Sequence, residues 1–265
     1  MDGKKKKIGN YYVLKQIGEG GFAYTYLAEH IVFGLPACIK QNINLSEKDA
    51  AMLIQEAKLL WDIHHHSLPT LKDIFRLDDG SIAMVMSYIP GKDLFKVKTE
   101  DYPDGIDPGH VCWMTLRVLG ALRYLHSYDI VHGDVKPQNT IIQPKRHNAV
   151  LVDYGLSTAF PNRFTKCPGY TPAFAAPEQF EGKPPIPETD IYCLGVSMIF
   201  ALGGNLGSLT MPSSVPEKLQ RFFMQMVRHD PLKRPNDVVA LAEELSNLRE
   251  IVFGSRTSNK ELIIK

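Results

Sequence analysis

Two carboxylates, an ammonium and an amide stand close together in the middle of the chain. Asp134, Lys136 and Asn139 lie within six residues, and Asp153 follows on the next apolar run. Phosphoryl transfer uses this combination: one carboxylate accepts a hydroxyl proton, the other holds a divalent cation with the amide, and the ammonium offsets phosphoryl charge. The competing interpretation is a polar loop whose Asp and Asn side chains stabilise turns.

Short apolar runs on either side of this loop predict the strands that hold it. Val131 precedes the loop, residues 140–142 follow it, and residues 150–152 lead directly to Asp153. Their composition favours strands. A hairpin of the last two runs would bring the second carboxylate to the amide on rigid backbone.

The order of these residues resembles the catalytic loop and the magnesium loop of protein kinases, His-Arg-Asp-x-Lys-x-x-Asn and Asp-Phe-Gly. Here they read His-Gly-Asp-Val-Lys-Pro-Gln-Asn and Asp-Tyr-Gly. The resemblance implies that Asp134 orients the acceptor hydroxyl and takes its proton, while Lys136 offsets charge on the γ-phosphate. It implies that Asn139 and Asp153 hold Mg²⁺, with Mn²⁺ as the alternative.

A glycine-rich turn interrupts a β-like stretch near the start of the chain. It is similar to the Gly-x-Gly-x-x-Gly-x-Val loop over the ATP phosphates in protein kinases, but Ala23 replaces the third glycine and Thr25 replaces the valine. On its own, such a turn is as often an ordinary hairpin. By resemblance, the nucleotide-contacting residues of this stretch are Ile17, Gly18, Glu19, Gly20, Gly21, Phe22 and Thr25.

Lys40 ends a short apolar strand, and Glu56 lies on a helix predicted over residues 46–62 by apolar residues at helical spacing. Glu56 lies close to the apolar stripe, where an unpaired carboxylate would be costly. It therefore needs a cation; without one, a solvated helix glutamate would be the default interpretation. The resemblance implies that the cation is Lys40, which then contacts the α- and β-phosphates. Cys38 stands where the family has an alanine in the adenine pocket.

The strand predicted over residues 81–89 ends at Pro-Gly and resembles the last strand and hinge of the kinase small lobe. By resemblance, Met86 limits the depth of the adenine pocket. The backbone of Ser87, Tyr88 and Ile89 would then bind the edge of the adenine.

Residues 156–178 resemble the kinase activation segment, which receives the peptide acceptor. The resemblance implies that Thr171 binds the catalytic aspartate and lysine, that Glu178 pairs with Arg234, and that Asp190 braces the catalytic loop. Gly133 replaces the arginine that usually pairs with a phosphorylated activation segment. This departure predicts activity without such phosphorylation. Candidate autophosphorylation sites are Ser157, Thr158 and Thr165.

Composition is that of an ordinary soluble globular protein. The 265 residues are 44% hydrophobic and 22% charged, with a net charge of +1, which favours neither nucleic acid nor an acidic membrane as partner. The basic run over residues 4–7 is the local exception. Four scattered cysteines indicate reduced thiols and a cytoplasmic protein. No signal peptide is recognised, and the longest apolar run, residues 191–202, predicts a buried helix and no membrane span.

The resemblance covers residues 11–248, and the chain is identified as a member of the eukaryotic-like serine/threonine protein kinases, similar in compactness to bacterial or phage-type members. It implies an α+β bilobal fold. The small β-rich N-lobe with one main helix and the hinge would span residues 11–89, and the larger, mainly helical C-lobe residues 90–253. A basic disordered start (1–10) and a C-terminal tail (254–265) would flank them.

The implied function is transfer of the ATP γ-phosphoryl group to Ser/Thr hydroxyls of proteins, including the chain itself. Lys136 and Thr171 favour Ser/Thr acceptors. Two alternatives stay open: a nucleotide-binding pseudokinase scaffold, which the departures at Ala23, Thr25 and Gly133 support, and a small-molecule kinase, which also uses His-Gly-Asp. The consecutive histidines at 64–66 are not expected to bind metal, because adjacent side chains on a loop diverge. The oligomeric state stays open.

Overall fold

The structure is a computed structural model that describes residues 6–255 and 261–265. The chain divides into two compact units, Met1–Ile89 (unit 1) and Pro90–Lys265 (unit 2).

Within its described residues, unit 1 contains a six-stranded antiparallel sheet and one helix. The strands lie in the order β1-β2-β3-β4-β6-β5, and the helix α1 connects β4 to β5. The elements are β1 (Lys7–Ile8), β2 (Tyr11–Glu19), β3 (Ala23–His30), β4 (Pro36–Asn42), α1 (Glu47–Leu60), β5 (Leu71–Arg76) and β6 (Ile82–Ser87).

Both faces of this sheet are covered, which explains why β6 is apolar without interruption. Ala83 and Val85 pack in one cluster with Ile8 of β1, while Met84 packs in a second cluster with Leu53 of α1. Alternate residues of a strand point to opposite faces, so a strand between two cores needs apolar residues at every position.

Helix α1 begins where the sequence predicts. Ser46 caps it by accepting a hydrogen bond from the backbone N–H of Asp49 at 3.1 Å. The Asp49 carboxylate accepts from the side chain of Asn44 at 2.9 Å instead of returning to Ser46. Only one half of a reciprocal capping box between Ser46 and Asp49 is therefore formed.

The start of the chain differs from the expected disorder over residues 1–10. Residues 1–5 lie outside the described residues, but Lys7–Ile8 pairs with β2. Ile8 is 1% exposed, and the Lys6 ammonium donates to Tyr26 Oη at 3.2 Å and Gln41 Oε1 at 3.1 Å. The buried isoleucine, the strand pairing and the Lys6 hydrogen bonds together hold this segment on the sheet, although its composition is mostly basic.

The described part of unit 2 is mainly helical, with short strands that hold loops. Its strands form two small sheets, β10-β9-β7 and β11-β8. The helices are α2 (Leu94–Lys96), α3 (Pro108–His126), α4 (Pro177–Phe180), α5 (Pro187–Ala201), α6 (Glu217–Met226) and α7 (Val238–Phe253); the strands are β7 (Lys92–Asp93), β8 (Ile130–Val131), β9 (Thr140–Gln143), β10 (Asn148–Leu151) and β11 (Thr158–Ala159).

Helices α3 and α5 form the centre of unit 2. Most of their residues are buried, including the polar Thr115, Asp190 and Ser197, which are each 0% exposed. The apolar run that predicted a buried helix lies within α5, as expected. None of the helices in the described ranges is long and apolar enough to cross a membrane.

Two segments of unit 2 are ordered by local features. Residues 97–101 form a π-helical turn, Val97–Asp101, which the fully buried Val97 anchors. Helix α7 ends before Gly254, which adopts a φ of +71°. At the chain end, the Tyr102 hydroxyl donates to the carbonyl of Ile263 at 2.9 Å.

Candidate active site

Asp134 lies between β8 and β9 with every carboxylate oxygen engaged. Oδ1 accepts a hydrogen bond from the Thr171 hydroxyl at 2.7 Å. Oδ2 lies 2.6 Å from the Lys136 ammonium and 3.1 Å from Nδ2 of Asn139. Asp134 is 7% exposed, so these donors replace the water that a buried carboxylate has lost.

The Asp190 carboxylate on α5 holds the backbone of the catalytic loop through hydrogen bonds. It is fully buried and accepts hydrogen bonds from the backbone N–H of His132 at 2.9 Å and of Gly133 at 2.8 Å. Its Oδ2 also lies 2.9 Å from Nε2 of His126. The bracing geometry implied by the resemblance is present, and it fixes the backbone directly before Asp134.

The hairpin of β9 and β10 brings Asn139 and Asp153 to neighbouring positions. The strands pair with Leu151 opposite Thr140, and the Val152 N–H donates to the Asn139 carbonyl at 2.8 Å. Nδ2 of Asn139 donates to Asp134, so Oδ1 of the amide is the candidate oxygen ligand for a cation. The exposed Asp153 carboxylate is the second candidate ligand.

This donor set fits a hard divalent cation that keeps other oxygen ligands. Carboxylate and amide oxygens suit Mg²⁺, which usually binds through one or two carboxylates plus phosphate and water. Among the described residues, no group of three or more His, Cys, Asp or Glu side chains could hold a metal ion by itself. Asn139 and Asp153 therefore suit an ion that arrives with a phosphate ligand. The histidines at 64–66 belong to no such group among the described residues.

Asp153 adopts a φ of +68°, which is strained for a non-glycine residue. The next residue, Tyr154, is 2% exposed and packs its ring edge-on against His132 at 5.0 Å. The buried tyrosine anchors the segment while Asp153 stays exposed. Burial lowers the pKa of His132, so its imidazole is held neutral.

In unit 1, Lys40 and Glu56 form the pair that the sequence requires. The Lys40 ammonium lies 2.9 Å from Oε1 and 2.7 Å from Oε2 of Glu56. Glu56 is 2% exposed and Lys40 9% exposed. Because Lys40 lies on β4 and Glu56 on α1, the pair holds the helix against the strand. Removing either partner would leave an uncompensated buried charge.

The glycine-rich turn between β2 and β3 closes through backbone hydrogen bonds. Gly20 N–H donates to the Ala23 carbonyl at 2.9 Å, and the Phe22 carbonyl accepts from Ile43 N–H at 2.8 Å. The Phe22 ring lies 5.2 Å from the Lys40 ammonium. Ala23 is 2% exposed, so the methyl group that replaces the third glycine is buried in unit 1.

The segment expected to bind adenine has one backbone donor already in use. Ser87 N–H donates to the Thr70 carbonyl at 2.9 Å. Ser87 can therefore offer adenine only its backbone carbonyl. Any backbone N–H that donates to adenine must come from Tyr88 or Ile89. Met86 is 9% exposed and lies opposite Cys38 on the neighbouring strand β4. Burial raises the pKa of the Cys38 thiol to about 12. Cys38 therefore stays a neutral thiol.

Residues 11–206, well over half of the chain, match the sequence family described as "Protein kinase domain". The chain belongs to this family. The identification made from the catalytic-loop motifs and the α+β fold class are both confirmed. The kinase domain implies ATP and a divalent metal ion as cofactors.

Curated relatives of this kinase domain are similar at modest identity. Hormonally up-regulated neu tumor-associated kinase homolog A from Xenopus laevis is 28% identical over 91% of the chain, and serine/threonine-protein kinase pkn3 from Myxococcus xanthus is 27% identical over 74% of it. The chain covers 38% of the length of each of these two relatives.

The activation segment of the kinase domain is closed by a buried ion pair. Arg234 donates to both carboxylate oxygens of Glu178, at 2.7 and 2.8 Å, as the resemblance implies. Burial acts to raise the pKa of Glu178, but hydrogen bonds and charge from Arg234 outweigh it and hold that pKa below its usual range. Thr189 adds a third hydrogen bond, to Oε1, at 2.8 Å.

Two side-chain hydrogen bonds that the motifs did not predict hold the kinase catalytic loop to the activation segment and to the residue that follows it. The Ser157 hydroxyl donates to the His132 carbonyl at 3.0 Å, and the Gln179 side chain donates to the Gly133 carbonyl at 2.8 Å. Gln179 also accepts from Ala176 N–H at 2.9 Å. The catalytic-loop partners of Ser157 and Gln179 lie 25 and 46 residues away in the chain. No local sequence pattern therefore predicts these two hydrogen bonds.

Proposed function

We propose that the chain is an ATP-dependent serine/threonine protein kinase. It transfers the γ-phosphoryl group to Ser/Thr hydroxyls of protein substrates, including its own. The observation that carries this proposal is the hydrogen bond from the Thr171 hydroxyl to Asp134 Oδ1 at 2.7 Å. A carboxylate placed to accept from one threonine hydroxyl can accept from the hydroxyl of a bound acceptor. The relative from Myxococcus xanthus is named a serine/threonine-protein kinase.

Each residue of the unit 2 network has a separate role in transfer. Asp134 accepts the acceptor proton and aligns its oxygen. Lys136, 2.6 Å from the same carboxylate, offsets the charge of the γ-phosphate. Asn139 and Asp153 would hold Mg²⁺, with Mn²⁺ as the alternative, and the ion would neutralise phosphate charge. Positioning and electrostatics therefore account for the rate, because the protein forms no covalent intermediate.

Unit 1 supplies the nucleotide anchor. Lys40, held by Glu56, binds the α- and β-phosphates, and the backbone amides of the glycine-rich turn contact phosphate without side chains in the way. Met86, the Ser87 carbonyl and the backbone of Tyr88 and Ile89 recognise adenine.

We further propose that activity does not require activation-segment phosphorylation. Gly133 provides no cation to pair with a phosphate on the activation segment. Strand pairing and a side-chain hydrogen bond hold that segment instead. Thr158 and Ala159 pair with β8, and Ser157 donates to the His132 carbonyl. These contacts involve no phosphate, and they support an activation segment that is held in place in the unmodified chain. Ser157, Thr158 and Thr165 remain the proposed autophosphorylation sites.

We place the protein in the cytoplasm. Its four cysteines are all free thiols. Cys112 and Cys193 are buried, and burial raises the pKa of the Cys112 thiol to about 12. Neutral, buried thiols suit a reducing compartment.

The test is transfer of label from γ-labelled ATP with Mg²⁺ to the protein itself and to a generic basic protein. Asp134→Asn should lower the rate by about 10²–10⁴-fold, while Asp62→Asn, an exposed aspartate, serves as the matched control. Phosphoamino-acid analysis should find phosphoserine or phosphothreonine. Full activity of Asp134→Asn would contradict the assignment, and ATP binding without label in the wild type would favour the nucleotide-binding scaffold. Loss of activity on phosphatase treatment would contradict phosphorylation independence.

A further inference from the structure

Two exposed aromatic side chains of unit 2 lie in contact close to the catalytic loop. The rings of Tyr170 and Phe180 have centroids 4.8 Å apart, at an interplanar angle of 53°. Tyr170 is 38% exposed and Phe180 is 54% exposed. We call this pair the aromatic platform. Two exposed rings in contact offer a larger apolar surface than single scattered residues do, and contiguous surfaces of this kind mark binding sites.

Each residue of the aromatic platform is the chain neighbour of a residue that binds the catalytic loop. The platform tyrosine directly precedes Thr171, whose hydroxyl donates to Asp134 Oδ1 at 2.7 Å. The platform phenylalanine directly follows Gln179, whose side chain donates to the Gly133 carbonyl at 2.8 Å. Consecutive Cα atoms are about 3.8 Å apart. Both rings therefore project from backbone that adjoins the contacts of two successive catalytic-loop residues.

The aromatic platform has a fixed support on both sides. Helix α4, which ends at the platform phenylalanine, is held by the buried ion pair of Glu178 and Arg234. After the platform tyrosine, the N–H groups of Phe174 and Ala175 both donate to the Thr171 carbonyl at 3.0 Å. A ligand that binds to a preformed surface loses less free energy to ordering than one that must first arrange it.

The charged groups that flank the aromatic platform in the chain are paired. Glu181 and Lys183, which follow the platform phenylalanine, form an ion pair with one another, and Glu178 is bound by Arg234. Between Lys166 and Glu178 the chain has no charged residue. A charged side chain of a ligand would therefore lose hydration against the rings and compete for groups that are already paired. A cation over an exposed ring also gains less than a large apolar side chain gains from burial.

The position of the acceptor hydroxyl brings its neighbours in the substrate to the aromatic platform. To give its proton to Asp134, the hydroxyl must lie within about 3.2 Å of the carboxylate. Thr171 lies at hydrogen-bond distance from the same carboxylate, and the platform tyrosine is the next residue. An extended peptide advances about 3.3–3.6 Å per residue, so two residues on either side of the acceptor span roughly 7 Å. A large side chain within that span reaches the two rings.

We propose that the aromatic platform binds a large apolar side chain, such as leucine or phenylalanine, that lies within two residues of the acceptor Ser/Thr. Peptides with such a side chain are then the preferred substrates. This inference rests on the proposed kinase function and adds the substrate class to it. Tyr170 and Phe180 determine specificity only, because neither is placed to touch the reacting atoms.

The test measures kcat/KM of the full chain for peptides that share one acceptor serine among alanines. Leucine, phenylalanine, aspartate or lysine is placed in turn at each of the two positions before and after the serine. At one or more positions we expect leucine or phenylalanine to exceed both aspartate and lysine by about tenfold. Phe180→Ser should lower this ratio to less than about threefold and leave kcat/KM for the all-alanine peptide within about twofold. Phe253→Ser, at another exposed aromatic residue of unit 2, should keep the wild-type ratio.

A charged variant tests the same contact by a change of preference. Phe180→Lys should favour aspartate at the position where the wild type favours leucine, because an ammonium replaces the ring. Each variant is first checked for unchanged thermal unfolding. The inference is overturned if the wild type shows no apolar preference, if it prefers lysine or aspartate, or if both Phe180 variants keep the wild-type preference. Transfer to no peptide and to no basic protein, by a wild type that binds ATP, would instead contradict the proposed kinase function on which the inference rests.

Discussion

The Thr171 hydroxyl lies 2.7 Å from Oδ1 of Asp134, and the Lys136 ammonium lies 2.8 Å from the same threonine oxygen. One threonine therefore joins the activation segment to both charged residues of the catalytic loop. The arrangement holds the carboxylate and the ammonium in a fixed relation before any substrate binds. Pre-organisation of this kind is how a site without covalent chemistry gains rate.

We expect Thr171→Val to lower kcat by roughly 10–100-fold, because the isosteric side chain fills the same space but leaves Asp134 and Lys136 without their shared partner. Thr171→Ser retains the hydroxyl and should recover most of the activity. Steady-state kinetics with a basic protein substrate measures both. A kcat in Thr171→Val equal to that of the wild type would show that the bridge does not position the catalytic groups.

Gly133 should not tolerate a side chain. Its φ is +75°, and a Cβ there would lie 2.9 Å from the Leu156 carbonyl oxygen. We expect Gly133→Ala to lower the free energy of unfolding by about 1–3 kcal/mol. Gly182→Ala is the matched control, since Gly182 has a φ of +67° with no atom within 4 Å of its Cβ position. Urea titration should find the smaller loss in Gly182→Ala, and equal losses would assign the whole effect to φ.

The Glu178–Arg234 pair should contribute far more to stability than any surface pair. Glu178→Gln leaves the buried Arg234 guanidinium uncompensated and should cost about 3–5 kcal/mol in the free energy of unfolding. Glu217→Gln removes an exposed carboxylate 3.2 Å from Arg221 and should cost less than about 1 kcal/mol. Denaturant unfolding of both variants provides the comparison. Similar small losses would mean that Arg234 is stabilised mainly by backbone carbonyls.

Stability should fall as the pH is lowered through the range where His132 titrates. Burial lowers its folded-state pKa below 6.5, so below pH 6.5 the unfolded chain binds more protons than the folded one. The free energy of unfolding therefore decreases from about pH 6.5 downward. His132→Phe should flatten this slope between pH 8 and 5.5, and His229→Phe, at an exposed histidine, should not. An unchanged slope in His132→Phe would assign the dependence to another group.

Much of the chemistry of the site could be predicted from the types of the residues and their order in the chain. The catalytic-loop motifs identified the family, and the apolar spacing before Glu56 located α1. The resemblance to the family then identified Lys40 as the cation that Glu56 needs. These inferences succeed because helical periodicity, capping and glycine turns depend on residues close in sequence. The site roles themselves stay predictions until the variants are measured.

The tertiary structure decided what depends on distant packing. It buried Ala23, used the Ser87 N–H within unit 1, and folded residues 6–8 onto the sheet where composition indicated disorder. It also joined Gln179 to Gly133 across 46 positions of the chain. Burial and hydrogen-bond partners at such separations result from how whole elements pack, and no local pattern encodes them. For the same reason, only the folded hairpin of β3 and β4 showed that Val32, Phe33 and Leu35 are exposed.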